Sequence, residues 1–304
     1  MTQIYGFGRP PTPPPEAPVV PLEAPDVARL NLGWSSSYSP RELEEHVLAH
    51  PGLCWWSPAL GEYLIGGPWR HRAEIAVIQE LSARFYPEKL AEAFTAACRE
   101  RGYALAVMLD QHETRRQSFY ERIGFELLQE IIIYELPRLP RPIPEPATLR
   151  FERYTPAALD DLVAVDHAAF PWIWRNSPEE FAAYMGLYGV EVYLGREPDG
   201  AAVTYFGITS YRGWGHLDRI AVLPDRQGQG YGLETLNAAV ARLGEHGARR
   251  IGLSTQVDNL DSQRLYERYG FRRTTGNDYT IYGAWLDEGV RRQASGVRDE
   301  AGRG

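Results

Sequence analysis

The chain has 304 residues, and because a domain commonly contains roughly 150, this length favours two domains. Apolar residues make up 44% of the chain and aromatic residues 12%, which is enough for two cores and excludes general disorder and coiled coil. The net charge of −8 argues against a dedicated nucleic-acid binder. An anionic surface is more compatible with a cationic partner such as an amine.

Cysteines and apolar runs bear on the cellular compartment. Cys54 and Cys98 are the only cysteines, so the sequence provides neither a disulfide framework nor a cysteine-based zinc site, and no metal is expected. The N-terminus lacks a signal-peptide pattern, and no apolar run reaches the roughly 18 residues that span a bilayer. We therefore expect a cytoplasmic protein without a membrane partner, either a monomer or a homodimer.

Two proline clusters divide the chain. The first makes residues 1–26 an extended arm, because proline interrupts both helices and strand ladders. This arm could be disordered, could lie across a domain as a strap, or could be an SH3-type ligand. The second cluster predicts a linker at 137–147. The predicted organisation is then a first domain at 27–136, a second at 148–288 and a polar, flexible tail at 289–304.

The remaining elements alternate between helices and strands, which is typical of an α/β (α+β) protein. In the first half the pattern predicts a helix at 87–101 and a strand at 104–109. In the second half, serine or threonine followed by proline predicts helices beginning near Thr155 and Ser177. Further along, the pattern predicts strands at 190–195, 201–211, 217–223, 250–256 and 279–285, and helices at 231–246 and 262–269.

The two halves resemble each other. The tripeptide Ile-Ala-Val at 75–77 recurs at 220–222, an offset of 145 residues. The hexapeptide at 120–125 recurs with one change at 266–271, an offset of 146. Two matches at nearly the same offset indicate a duplicated domain, whereas a solenoid would repeat every 20 to 50 residues.

The most informative segment follows the predicted strand 217–223. Its glycines alternate at 228, 230 and 232, immediately before a predicted helix. Such a turn allows successive backbone N–H groups to converge on a phosphate, and the helix N-terminus adds its positive dipole end. It is not a Walker loop, since no Gly-Lys-Ser/Thr follows, and its spacing differs from the dinucleotide fingerprint G-x-G-x-x-G.

A second segment, 259–271, follows one helix and one strand later. Together the two segments resemble the GNAT superfamily of acyl-CoA-dependent N-acyltransferases. Gln227, Gly230 and Gly232 match that family's Q/R-x-x-G-x-G/A motif, and 259–271 is similar to its asparagine-to-Leu-Tyr-x-x-x-Gly-Phe motif. The resemblance covers about 148–285. It implies two GNAT-like domains, each a mixed, mostly antiparallel twisted sheet flanked by helices.

The resemblance also implies acetyl-CoA as co-substrate and assigns residues to it. Three residues would pair their backbone with the pantetheine amides: Ile220, Ala221 and Val222. Six residues would offer N–H groups to the pyrophosphate: Gln227, Gly228, Gln229, Gly230, Tyr231 and Gly232. Asn259 and Ser262 would contact the lower pantetheine arm, and Tyr266 would lie near the departing sulfur.

Attack of an amine on a thioester involves two proton transfers. The phenol of Tyr266 could protonate the leaving thiolate. The base is open between His216, four residues before Ile220, and Asp218, which strand alternation places on the same face as His216. Ser254 or Thr255 on the next strand could instead hold a relay water.

Three aromatic residues, Phe170, Trp172 and Trp174, lie in the region that covers the acceptor in this family. They could line a pocket for a small-molecule or peptide amine, or they could pack under an interface between the two domains. No nucleic-acid partner is expected.

The first half is predicted to be a degenerate GNAT-like domain. At the offset of 145, Gly230 and Gly232 correspond to Phe85 and Pro87, and proline lacks an N–H group while a phenyl ring would fill the phosphate space. Two functions follow for the whole chain. One is an N-acetyltransferase that moves an acetyl group directly from acetyl-CoA to an amine, and the other is a non-catalytic acyl-CoA-binding or regulatory protein.

Overall fold

The computed structural model describes residues 17–33, 36–111, 117–140 and 142–294. Most of the predicted N-terminal arm and most of the predicted tail lie outside the described residues. The chain forms two compact units. Unit 1 contains the described residues up to Gly67 together with Val77–Gly102, and unit 2 contains Pro68–Ala76 and the described residues from Tyr103 onward.

The elements follow each other along the chain in this order. The first half forms β1 (Val20–Pro21), a 3-10 turn (Ala24–Arg29), α1 (Pro40–Ala49), β2 (Trp55–Ser57), β3 (Glu62–Trp69), β4 (Arg72–Ser82), α2 (Pro87–Glu100), β5 (Leu105–Gln111), α3 (Gln117–Arg122) and β6 (Glu126–Leu136). The second half forms β7 (Arg150–Arg153), α4 (Leu159–Ala169), α5 (Pro178–Met185), β8 (Val190–Arg196), β9 (Ala202–Tyr211), β10 (Trp214–Val222), α6 (Tyr231–Glu245), β11 (Arg250–Gln256), α7 (Leu260–Tyr269), β12 (Arg272–Arg273), β13 (Tyr279–Trp285) and α8 (Glu288–Ala294).

Unit 1 is a small sheet covered by helices. Its strands lie in the order β1-β2-β3-β4, and β2 pairs antiparallel with both β1 and β3. Helix α1 begins with a capping box, in which the Ser39 hydroxyl accepts from Glu42 N and the Glu42 carboxylate accepts from Ser39 N. Unit 1 contains an apolar cluster of eight buried residues: Leu22, Val27, Leu43, Val47, Cys54, Trp56, Tyr63 and Ile65.

Unit 2 contains a mixed sheet with helices on both faces. Its strands lie in the order β5-β13-β6-β11-β10-β9-β8-β7. In the part of the chain that the structure describes, β10 and β11 run parallel, and the other neighbouring strands of this series pair antiparallel. Apolar residues of α6 pack on one face, and residues of α4 and α5 pack on the other. This mixed, mostly antiparallel sheet confirms the predicted fold class.

The last strand of each half pairs with the other half. Strand β6, from the first half, pairs with β11 of the second, and β13, from the second half, pairs with β5 and β6 of the first. Strands β5 and β11, the partners of the exchanged strands β13 and β6, span positions related by the predicted offset of 145. Because of this exchange, the two units do not divide at the predicted linker 137–147.

Most second-half elements have the bounds that the sequence predicts. Strands β11 and β13 match residue for residue, and Ser177 caps α5 by accepting from Glu180 N at 3.1 Å. Helix α4 begins at Leu159, after a 3-10 turn at Pro156–Ala158, and not at Thr155. None of the helices in the described residues combines the length and the apolar character that a membrane crossing requires.

Candidate functional site

Strands β10 and β11 separate along their length. They pair only from Trp214 to Leu217 on β10 and from Arg250 to Leu253 on β11. Both strands continue beyond this point, to Val222 and to Gln256. The register between β9 and β10 shifts between Leu217 and Arg219, and such an irregularity bends a strand. A cleft therefore opens between the two strands, and it exposes the β10 edge to a ligand.

A cavity of about 340 Å³ in unit 2 lies at this cleft. Its wall contains residues of β10, β11 and α7, among them these nine: Leu217, Asp218, Ile220, Ser254, Thr255, Gln256, Asn259, Ser262 and Tyr266. The structure therefore brings five residues that the sequence predicted as site residues to one cavity: Asp218, Ile220, Asn259, Ser262 and Tyr266. The predicted relay positions Ser254 and Thr255 lie there as well.

The glycine loop connects the end of β10 to α6. Gly228 and Gly230 have φ angles of +76° and +90°, a conformation that side chains disfavour. Gly230 is the N-cap of α6, and among the described residues the first N–H of α6 with a backbone acceptor is that of Leu233, which bonds to Gly230 O at 3.0 Å. In this described segment, the helix N–H groups before it have no helical acceptor, which is the arrangement that suits an anion at a helix N-terminus.

Tyr266 is a buried phenol on the cavity wall, with 4% of its surface exposed. Its ring packs between Tyr134 and Phe271. Burial raises the pKa of Tyr266 to about 12, although a hydrogen bond with Ser262 acts in the opposite direction. The phenol consequently keeps its proton at neutral pH and is able to donate it. Asn259 supports the same helix, because its Oδ1 accepts from Ser262 N at 3.3 Å.

Asp218 is held by three hydrogen-bond donors. Its carboxylate accepts from the hydroxyls of Tyr184 and Thr209, at 2.5 and 2.6 Å, and from His216 Nδ1 at 2.6 Å. Burial and this carboxylate raise the pKa of Tyr184, so that hydroxyl remains a donor. Asp218 lines the cavity, whereas His216 is not among the lining residues and touches the site through Asp218.

Of the three predicted acceptor aromatics, the structure brings two to the cavity. Phe170 and Trp174 line it, while Trp172 packs against Trp285 with ring centroids 5.7 Å apart. The Arg72 guanidinium lies over the Trp172 ring, 4.8 Å from its centroid. Trp172 therefore packs against side chains of its own unit and is not among the residues that line the cavity.

A buried ion pair anchors the two cavity aromatics. Asp166 is fully buried, and its Oδ2 accepts from Arg219 Nη2 at 2.6 Å and from Tyr205 OH at 2.5 Å. The Arg219 guanidinium lies 4.0 Å from the Phe170 ring centroid and donates to Trp174 O at 2.9 Å. Charged pairs that are buried and fully hydrogen-bonded fix the geometry of the groups that they touch.

Sequence reasoning missed several cavity residues, among them Trp69, Arg70 and Tyr279. Trp69 and Arg70 come from the β3–β4 hairpin of the first half, and Tyr279 begins the exchanged strand β13. No local pattern marks any of them, because long-range strand pairing brings them to the cavity. The internal repeat was the one available sequence signal that linked the first half to this site.

The start of α2 differs from the start of α6. In unit 1 the Glu62 carboxylate accepts from the backbone N–H groups of Arg84, Phe85 and Tyr86, at 2.8, 2.7 and 2.9 Å. Glu62 is 7% exposed, so a protein carboxylate already lies at the anion position of this helix. This is a second physical reason, besides Phe85 and Pro87, to expect no cofactor phosphate there.

Comparisons with known proteins agree with this geometry. Residues 132–271 match the model of the acetyltransferase (GNAT) family. Over 80 residues, 26% of this chain, the sequence is 34% identical to a putative [ribosomal protein bS18]-alanine N-acetyltransferase of Bacillus subtilis (strain 168). The matched stretch spans about half of that relative, 53% of its length.

Two solved structures share the fold over 90% of this chain. A GCN5-related N-acetyltransferase from Sphaerobacter thermophilus aligns with a TM-score of 0.58 at 17% identity, over 97% of that chain. A tandem GNAT protein from the clavulanic acid biosynthesis pathway aligns with a TM-score of 0.51 at 12% identity, over 99% of that chain. The fold is that of these proteins, and residues 132–271 belong to the GNAT acetyltransferase family.

Proposed function

We propose that the chain is an acetyl-CoA-dependent N-acetyltransferase that moves the acetyl group directly to an amine. The observation that supports this most is the cleft between β10 and β11, which adjoins the glycine loop of α6 and has a protonated phenol, Tyr266, on its wall. Each of these three features matches one part of an acyl-CoA molecule.

The residues fit this cofactor. Beyond Leu217, the β10 edge that faces β11 offers backbone N–H and C=O groups, which suit the amides of a pantetheine arm. The glycine loop offers N–H groups and the positive end of a helix dipole, which suit a pyrophosphate. Acetyl-CoA supplies the thioester carbon that the amine attacks.

The side chains then have distinct tasks. The amine nitrogen bonds to the carbonyl carbon, the carbon–sulfur bond breaks, and Tyr266 donates its proton to the leaving sulfur. Asp218 holds the ammonium form of the acceptor at the cavity wall. The ammonium gives one proton to the Asp218 carboxylate before it attacks, and the second proton, lost as the amide forms, restores Tyr266. His216, whose side chain is 37% exposed, donates to Asp218 and orients that carboxylate.

Release of CoA tests this function. The full chain is mixed with acetyl-CoA and a panel of amines, the free thiol is measured, and the acetylated product is identified by mass spectrometry. The panel includes a peptide with an N-terminal alanine, since that is the acceptor that the name of the Bacillus relative states. A non-catalytic binder would bind acetyl-CoA in calorimetry and would release no CoA with any amine.

A further inference from the structure

Arg70 reaches the cavity from a strained hairpin turn. The two central residues of the β3–β4 turn, Arg70 and His71, have φ angles of +49° and +54°. A two-residue turn of this kind normally contains asparagine and glycine, because other side chains disfavour positive φ. Such backbone strain persists where the surroundings hold it, and it concentrates at functional sites. The turn places a guanidinium on the cavity wall.

Arg70 is held on one side and free on the other. Its Nη2 donates to Asn176 Oδ1 at 2.5 Å, and its Nε donates to Glu180 Oε1 at 3.2 Å. The guanidinium also lies 5.6 Å from the Trp174 ring centroid. Among the described residues, none accepts a hydrogen bond from Nη1 of Arg70. The side chain is therefore oriented, yet it keeps donors for a ligand.

The charges around the cavity define what this ligand can be. Arg219 is compensated by the buried Asp166, whereas Arg70 has one carboxylate, Glu180, within ion-pair distance. Asp218 lines the same cavity. A dianion such as a phosphate would be repelled by Glu180 and Asp218. A ligand with one negative and one positive group matches Arg70 and Asp218 together.

We propose that Arg70 binds a carboxylate of the acceptor, so that the acceptor is a small amino acid whose amine is directed towards Asp218. This inference rests on the proposed acetyl transfer and specifies its substrate class. The cavity of about 340 Å³ has the size of a small-molecule site, and the rings of Trp69, Phe170 and Trp174 give it an apolar side. A guanidinium binds a carboxylate through parallel N–H donors, which also fixes its orientation.

A matched substrate series tests the proposal. Each of several free amino acids is compared with its carboxamide and with its decarboxylated amine, both of which keep the amine and lack the anion. We expect kcat/KM for the amino acids to exceed that for both neutral analogues by about 30-fold or more, the scale of a charge-assisted hydrogen bond. Equal kcat/KM for the three compounds would overturn the proposal.

Two variants provide a matched pair. Arg70→Gln removes the charge at a left-handed hairpin position, and Arg212→Gln does the same at the exposed β9–β10 turn, where φ is +47°. Arg70→Gln should lower kcat/KM for amino acids about 30-fold, mostly through KM, and should leave the neutral analogues within about threefold. Arg212→Gln should leave kcat/KM unchanged for the amino acids and for the neutral analogues. Arg70→Lys should recover part of the loss by restoring the charge.

The result also separates this proposal from the proposed function. Amino-acid binding is measured by calorimetry in the presence of CoA, where no transfer occurs. Binding that depends on Arg70 without any turnover would contradict the transferase and support the site. Turnover that Arg70→Gln reduces equally for acids and neutral amines would show a purely structural Arg70 and overturn the site. If the Arg70→Gln variant does not fold, the proposal is tested with Arg70→Lys and with the substrate series measured on the unaltered chain.

Discussion

At the scale of single residues, the proposed chemistry depends on the pKa of the Tyr266 phenol. Tyr266 sits in an apolar environment of Tyr134 and Phe271, and that burial is the main cause of its raised pKa. A proton donor with this property is fully protonated at neutral pH. In the proposed reaction, its hydroxyl donates to the sulfur as the carbon–sulfur bond breaks and negative charge develops there.

Replacing Tyr266 by Phe removes the hydroxyl and keeps the ring. We expect kcat to fall by about 10²- to 10⁴-fold, the usual contribution of general acid catalysis, while the affinity for acetyl-CoA changes little. Steady-state kinetics and calorimetry measure the two quantities. The control is Tyr120→Phe, at the equivalent position of the first half, where the ring is fully buried and stacks on Tyr282 at 3.7 Å. It should leave kcat within about threefold, which is a barrier change below roughly 0.7 kcal/mol.

The opposite result would be informative. If Tyr120→Phe reduced kcat and Tyr266→Phe did not, the active site would belong to the first half. The three hydrogen bonds that Glu62 makes at the start of α2 argue against that outcome.

At the scale of elements, the two repeated helices α2 and α6 differ in how their N-termini are satisfied. The N-cap of α2 is Tyr86, which makes no side-chain cap, and the Glu62 carboxylate takes over that task. The N-cap of α6 is Gly230, which makes no such cap either. The start of α2 is thus capped by the Glu62 carboxylate, whereas the first N–H groups of α6 have no side-chain cap and are available to a ligand.

Glu62 should therefore stabilise unit 1. Glu62→Ala leaves three backbone N–H groups without their acceptor, and we expect the free energy of unfolding to fall by about 3 kcal/mol, the upper range for hydrogen bonds to a charged group. Urea unfolding measures this change. Glu44→Ala, at an exposed position of α1, should stay within about 0.5 kcal/mol of the unaltered chain. An equal loss in both variants would contradict the role of Glu62.

The same difference predicts one cofactor per chain. Calorimetric titration with acetyl-CoA should give a stoichiometry near one, and Gly230→Phe should abolish binding, because φ at this position is +90° and a ring would fill the anion site. Phe85→Gly, the reverse change in the first half, should not create a second site, since Glu62 still occupies it. Two equivalent sites in the unaltered chain would contradict this prediction.

At the scale of the whole molecule, the sequence predicted local features well and long-range pairings poorly. The patterns around Gly228, Gly230 and the strand 250–256 depend on neighbours along the chain, and the structure has them where they were predicted. The contribution of Arg70 depends on which strands pair. The repeat showed that β5 and β11 correspond, but no local pattern reveals that each pairs with the last strand of the other half.

This strand exchange predicts that the second half cannot fold when it is cut at the proline-rich linker. A fragment of residues 148–304 lacks β6, so β11 loses its neighbour on that side, and β13 loses both β5 and β6. Three β6 side chains also leave the main core of unit 2, where Ile132, Tyr134 and Leu136 are between 1% and 3% exposed. An unpaired strand edge beside a missing core layer favours aggregation.

We therefore expect fragment 148–304 to show no cooperative thermal unfolding and no binding of acetyl-CoA. Co-expression of 1–141 with 142–304 should restore both, because the two fragments together contain every strand of the exchange, and the cut removes no hydrogen bond between strands. Circular dichroism and calorimetry measure the two properties, with the uncut chain as reference. If 148–304 alone unfolded cooperatively and bound acetyl-CoA as the full chain does, β6 would be dispensable. The cofactor site would then be a property of the second half by itself.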